Sequence, residues 1–351
     1  MAPYDFVPNV QCSFPVKCHP LYSFIRPRLE DWAATLEPGH GEGNPKSRKC
    51  LVAEKRVLAT CMLIPVADDA RIENMCKLAC WCFHVDDILD DLQGLGADSG
   101  DMPLKQYQRF ANRVSELLEA SVNQVKLRNL KTVMGLEELL AHRRVLVGVF
   151  VMETLMEYGM GFELQDDAIS NQDLQEAESL VADHVSCVND LFCFLVDSAT
   201  GDTQFNIVHT IMCGNSDSKG FSFEYAADKV HKLVQSIEHR FKKLCENIRR
   251  SSCYNGAMEA YLEGLSHIIS GNLEWHRQTG RYKLKQLWKT QVPTISWSVD
   301  LIVLMLSTGI RKHNLLYLLP CHAMAPASIL NSPSLPSSSC GGLVVFFELL
   351  S

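Results

Sequence analysis

The stretch "WCFHVDDILDDL", residues 81–92, sets four carboxylates, Asp86, Asp87, Asp90 and Asp91, into an otherwise apolar run. On a helix, residues four apart stand one above the other. Asp86 and Asp90 therefore project the same way, with Asp87 about a quarter turn off. Such a group repels itself unless something positive lies between its members. The residues alone leave two readings open: an exposed acidic helix end leading into a loop, or a divalent-metal site.

A second segment shifts the balance toward metal. In "HVSCVNDLFCFLVDSATGD", residues 184–202, Asn189, Cys193 and Asp197 fall at i, i+4 and i+8. Each step of four turns the side chain by only about 40°, so the three form a narrow stripe roughly 12 Å long. Polar side chains on a largely apolar helix are costly unless they face metal or water. Oxygen donors select hard cations, and magnesium that keeps some waters while bridging to substrate phosphates suits such a site.

Around these two segments the chain reads as a succession of helices from about residue 21 to about residue 290. Apolar positions recur at spacings of three and four in "PLKQYQRFANRVSELLEASV", in "NLKTVMGLEELLAHRRVLVGVFVMETLMEYGMG", in "EAESLVADHVSCVNDLFCFLVDSA" and in "EYAADKVHKLVQSIEHRFKKLCENI". The breaks between them, such as "LQDDAISNQD", "GNSDSKG" and "SSCYNG", are short and polar. No alternating strand pattern of comparable quality and no internal repeat is present. Past residue 290 the character changes. "SWSVDLIVLMLSTGI" is shorter than a spanning helix needs and contains Asp300, and "NSPSLPSSSCGG" reads as linker. The expected organisation is a helical catalytic domain over 1–290 and a divergent, partly low-complexity tail over 291–351.

Composition narrows the function. Of 351 residues, 47% are hydrophobic and 21% charged, enough material for a sizeable core. A net charge of −8 and a pI near 5.8 argue against a surface built to neutralise nucleic-acid phosphates. Fourteen cysteines occur without a CxxC pair and largely inside apolar runs such as "NMCKLACWCF". They read as small reduced core residues, and "MAPYDFVPNVQCSFPVK" shows no basic region followed by an apolar one. A cytoplasmic protein without stable membrane insertion is the expectation.

The motifs together resemble those of class I terpene synthases, in particular the fungal, microbial-type sesquiterpene synthases. "DDILD" is similar to their aspartate-rich motif, and "NDLFCFLVD" to their second metal motif, usually N-D-x-x-S-x-x-x-E. "SATGDTQFNIV", "HRRVLVG" at 142–148 and "GNLEWHRQTGRY" at 271–282 resemble further family segments, in the expected order over about residues 70–282. The resemblance implies an all-α bundle around a deep apolar cavity with metals at its mouth. It also implies ionisation and cyclisation of a linear prenyl diphosphate, farnesyl diphosphate above all.

Residue by residue, the resemblance implies that Asp86 bridges two magnesium ions, with Asp87 and Asp90 in support. It places a third ion on Asn189, Cys193 and Asp197. Arg143 matches the arginine that senses the diphosphate, Arg281 and Tyr282 match the Arg-Tyr pair that hydrogen-bonds it, and Phe83 faces the cavity. Guanidinium forks suit such oxygens. Each has a plainer reading as well: Arg143 and Arg144 as a favourable helix end, Arg281 as a surface charge, Tyr282 as packing. The chain also departs from the family pattern. Cys193 stands in place of a serine, Asp197 in place of a glutamate, Val196 in place of a frequent lysine, and Leu146 and Val147 in place of polar residues. A soft thiol and a carboxylate arm shorter by about 1.5 Å make the third-ion site the weakest of the three. The partners implied are the prenyl diphosphate and, as an oligomer, a second copy of the chain. Two competing functions remain: a prenyl transferase of the same fold, which should carry a second DDxxD, and a catalytically silent relative.

Overall fold

Phe223, Ala226, Val230, Val234, Ile237, Phe241, Leu244 and Ile248 recur at steps of three and four, and all are buried. That stripe is the inner face of one helix of an all-α bundle. The computed structural model describes residues 8–35, 52–89, 102–130, 134–214 and 220–282, and among them there is no strand. In chain order the helices are α1 (Tyr22–Thr35), α2 (Arg56–Leu63), α3 (Ile72–Leu89), α4 (Leu104–Asn129), α5 (Leu136–Leu146), α6 (Val149–Met160), α7 (Asp166–Ile169), α8 (Gln172–Thr200), α9 (Ile207–Cys213), α10 (Phe223–Ile248) and α11 (Gly256–Gln278). The tail over 291–351, and with it the boundary expected at 290, lies outside the described residues.

The long helix α8 is the axis of the bundle. It packs against α10, α11, α5, α9 and α6. Leu174, Ala177, Val181, Ala182, Val188 and Leu191 line its buried side. Each fully buried leucine or valine among them contributes on the order of 1.5–3 kcal/mol. By length and composition α8 passes as a membrane span, but most of that stretch is buried inside the protein, as befits a central core helix. Its first turn is capped by Asn171, whose side chain accepts the Leu174 N–H. Ser222 and Asn255 do the same for Tyr225 at the start of α10 and Met258 at the start of α11.

The periodic run over 129–161 is not one helix. Gly148 adopts φ +73°, a left-handed conformation that suits glycine, and the chain turns there from α5 into α6. The break leaves Arg143 and Arg144 in the last turn of α5. Arg144 grips Asp183 on α8 with two bonds, Nε to Oδ1 at 2.5 Å and Nη2 to Oδ2 at 2.8 Å, fastening α5 against the axis. The polar break "LQDDAISNQD" contains the single-turn helix α7.

At the other side of the bundle α11 crosses α2 at very close range. A Cβ on Gly271 would meet the Met62 carbonyl oxygen at 2.2 Å and its carbon at 2.5 Å, so only glycine allows this approach. The contact brings the end of α11 against the chain just before α2. There Trp275 Nε1 donates to the backbone oxygens of Glu54 and Lys55, Thr279 Oγ1 donates to Glu54 O at 2.7 Å, and Gly280 N donates to Ala53 O at 2.7 Å. Those bonds fix where residues 281 and 282 leave the helix.

Candidate active site

Arg143 points from the end of α5 toward α8. Its Nη2 donates to Asn189 Oδ1 at 2.9 Å and to Asp190 Oδ1 at 2.6 Å. The Arg143 side chain is only 15% exposed. Burial opposes its charge, but the neighbouring negative groups, Asp190 first, outweigh that and leave it above its ordinary pKa. Asp190 itself is buried, and its second oxygen accepts the Ile207 N–H at 2.9 Å. Burial pushes its carboxyl up to about 6, with Arg143 and the Ile207 N–H holding it down. Asp190 is absent from the residues singled out by sequence, although it sits beside Asn189 in the quoted motif.

The stripe Asn189, Cys193, Asp197 lies on one side of α8, as its spacing predicts, but its members are engaged differently from one another. Cys193 Sγ–H donates to Asp197 Oδ2 at 2.9 Å. Burial, with Asp197 and Asp190 adding their negative charge, holds this thiol well above its ordinary range. A protonated sulfur is no ligand for a hard cation. The structure thus engages Cys193, which the sequence placed among the metal residues as a poor ligand, as a donor to Asp197. Asn189 and Asp197 offer oxygen donors that fit a divalent cation, so the second motif supplies two such groups in place of three. Burial also raises the Asp197 carboxyl, against the hydrogen bonds from Cys193 and Asn206 that lower it.

Tyr282 closes the other side of this cluster. Asn189 Nδ2 lies 3.0 Å from the Tyr282 hydroxyl and 3.4 Å from His276 Nε2. The Tyr282 and His276 rings are parallel, with centroids 5.2 Å apart, and Phe192 tilts against His276 at 5.4 Å. His276 Nδ1 faces the Asn272 carbonyl at 2.8 Å, so this nitrogen carries the proton and Nε2 accepts. Burial lowers the His276 pKa to about 4. Arg281 Nη1 lies 3.7 Å from Glu54 Oε2, and Glu54 in turn pairs with the buried Arg56 at 2.7 Å. The structure therefore gathers Arg143, Asn189, Cys193, Asp197 and Tyr282 into one cluster, with Arg281 next in the chain to Tyr282. His276 is legible only as part of the quoted "GNLEWHRQTGRY", and Glu54 carries no motif at all.

The first motif is reached along the backbone. Phe83, Asp86 and Asp87 lie in the C-terminal turns of α3 and Asp90 lies outside the described residues. α3 packs against α2, and α2 against α11, so α3 belongs to the same framework that carries Arg281 and Tyr282.

A family model described as terpene synthase family 2, C-terminal metal binding, matches residues 99–240, the part of the chain that holds Arg143, Asn189, Cys193 and Asp197. Microbial terpene synthase-like protein 13 of Selaginella moellendorffii is 28% identical over 313 residues, covering 78% of this chain and 86% of that protein. A 7-epi-alpha-eudesmol synthase of Streptomyces viridochromogenes, described as cyclising (2E,6E)-farnesyl diphosphate, is 26% identical over 193 residues, 52% of this chain and 55% of its own length. Among solved structures, that of an α-eudesmol synthase superposes with a TM-score of 0.64 at 17% identity, covering 78% of this chain and 99% of that one, a likeness of fold.

Proposed function

We propose that this chain, matched by a terpene synthase family model over residues 99–240 and 28% identical to a microbial terpene synthase-like protein, ionises farnesyl diphosphate and cyclises the resulting cation to a sesquiterpene, with release of diphosphate. The observation that carries this reading is the junction of three separate parts of the fold at one asparagine: Arg143 from α5 and Tyr282 from beyond α11 both meet Asn189 on α8 within 3.0 Å. Magnesium, held by Asp86, Asp87, Asp90, Asn189 and Asp197, would act as the Lewis acid that draws charge onto the leaving group.

The chain's own residues supply the rest. Arg143 and Arg281 offer guanidinium donors, and Tyr282 a hydroxyl, to diphosphate oxygens, and these bonds strengthen as negative charge builds on them. The carbon–oxygen bond breaks with both electrons passing to the diphosphate. The allylic cation is attacked by a distal double bond of the same chain, and the final cation loses a proton to the released diphosphate. Aromatic faces, to which the family resemblance would add Phe83, would stabilise the travelling charge, and exclusion of water would keep it from being quenched as an alcohol. The same reading keeps the enzyme in the cytoplasm, its cysteines reduced.

Incubation of the purified protein with magnesium and farnesyl diphosphate, followed by headspace analysis, tests the proposal. A volatile sesquiterpene is expected. A lengthened prenyl diphosphate, formed when isopentenyl diphosphate is added, would instead make the protein a prenyl transferase, although the segment around Asn189 stands where a second DDxxD would be needed. A catalytically silent relative is the second reading, favoured by the protonated Cys193 in the metal motif, and it requires no product under either condition.

A further inference from the structure

Asn206 precedes α9, and it is 1% exposed. The two ends of its side-chain amide face different helices. Oδ1 accepts the backbone N–H groups of Val208 at 2.9 Å and His209 at 3.4 Å, capping α9. Nδ2 faces α8: it donates to the Asp190 backbone oxygen at 2.9 Å and to Asp197 Oδ2 at 2.8 Å, with Cys193 Sγ at 3.5 Å. Backbone N–H groups can only donate, so the amide oxygen must face α9 and the amide nitrogen must face Asp197. The cap thereby dictates which way the amide points.

Asp197 Oδ2 receives two donors, the Asn206 amide and the Cys193 thiol. A carboxylate on its own turns freely about its last bond. Two donors converging on one oxygen, one of them anchored to a different helix, hold it in a single orientation. We propose that Asn206 is a positioning residue for Asp197, fixing across the turn from α8 to α9 the carboxylate that the second motif offers to a divalent cation. The inference rests on the reading of Asp197 as a cation ligand given above. It assigns a use to the shortened arm at position 197, since a fixed short arm presents its oxygen from one place.

The test uses the full chain, with Mn2+ as probe in the presence of inorganic pyrophosphate, read by electron paramagnetic resonance, and thermal unfolding without metal as a second readout. Serine and threonine can both cap a helix, but neither brings an amide donor to Asp197. Asn206→Ser is expected to unfold close to the parent temperature while binding Mn2+ about tenfold more weakly. Asp197→Asn should weaken Mn2+ at least as much, and the double variant should be no weaker than Asp197→Asn alone. Unchanged Mn2+ affinity in Asn206→Ser beside a weakened Asp197→Asn would reduce Asn206 to a helix cap and overturn the proposal. Unchanged affinity in Asp197→Asn itself would overturn the ligand reading of Asp197, and the proposal with it. If Asn206→Ser does not fold, Asn206→Thr, which also caps a helix and brings neither an amide donor nor a second carboxylate, decides between the same outcomes.

Discussion

Tyr282 lies parallel to His276 while its hydroxyl meets the side-chain amide of Asn189, so one residue just past α11 joins the end of that helix to the middle of α8. The ring and the hydroxyl have separable jobs. Tyr282→Phe keeps the stacking surface and removes only the polar contact. Its melting temperature should stay within a few degrees of the parent, while turnover of farnesyl diphosphate falls about tenfold, equivalent to about 1.4 kcal/mol of lost transition-state stabilisation. Steady-state kinetics beside thermal unfolding checks this. A large loss of stability with unchanged turnover would assign Tyr282 to packing alone.

The Arg143–Asp190 pair should respond in the opposite manner. Asp190→Ala removes the charged acceptor of a nearly buried guanidinium, leaving it the neutral Asn189 Oδ1, and orphans the Ile207 N–H. Loss of one member of such a pair costs on the order of 3 kcal/mol. Asp190→Asn keeps an acceptor in place and should cost clearly less. Urea unfolding of both variants measures the difference, and equal midpoints would mean that Arg143 finds another partner.

Glu153 on α6 gives a prediction about pH. It is 2% exposed, and its Oε1 has no hydrogen-bond partner among the described residues. Burial, then the negative charge of Glu178, pushes its carboxyl well above the ordinary range, against the pull of Arg113. Below the unfolded-state pKa of about 4.3 both states hold the proton and nothing is lost. Above it the unfolded chain releases a proton that the folded chain keeps, so this group drains stability as pH rises, by up to about 1.4 kcal/mol per unit until its folded pKa is reached. Glu153→Gln removes the drain. The variant should gain on the parent as pH rises above about 5 in chemical unfolding, and parallel curves for the two proteins would contradict the assignment.

The helices were legible because burial imposes a period. The stripe from Phe223 to Ile248 and the spacing of Asn189, Cys193 and Asp197 both follow from one residue every 100° around an axis. The division of the run over 129–161 was not, since its apolar period continues across the break and only the left-handed backbone of Gly148 separates α5 from α6. At the site, the sequence marked positions inside motifs, and the bonds that fix those side chains were not legible. Asp190 and Asn206 act through bonds to the backbone of another helix, and Glu54 meets Arg281 across more than 220 residues of chain. Such contacts depend on how helices cross, as at Gly271 against Met62, and leave no period in the sequence.

Cys193 and Asp197 carry the last prediction. The usual family pattern at these positions is a serine and a glutamate, which supply a hard hydroxyl oxygen and a longer arm. Here the thiol stays protonated and donates to the carboxylate, so Asn189 and Asp197 are the oxygen donors that the motif offers. With a site so weakened, a high magnesium requirement and slow ionisation are expected, because the leaving group is stabilised only when cations and arginines act together. Cys193→Ser by itself exchanges a soft donor for a hard one but leaves the arm short, and it should have a small effect. Cys193→Ser with Asp197→Glu restores both, and it should lower the magnesium concentration for half-maximal rate several-fold and raise turnover. Asn206 sets the condition for that gain. Its amide lies 2.8 Å from Asp197 Oδ2, and a glutamate longer by one carbon must keep that bond while reaching further. Initial rates against magnesium for parent, single and double variants measure the outcome. A double variant with an unchanged or worse magnesium curve would mean that the surroundings of position 197 are built for the aspartate, or that no cation binds there.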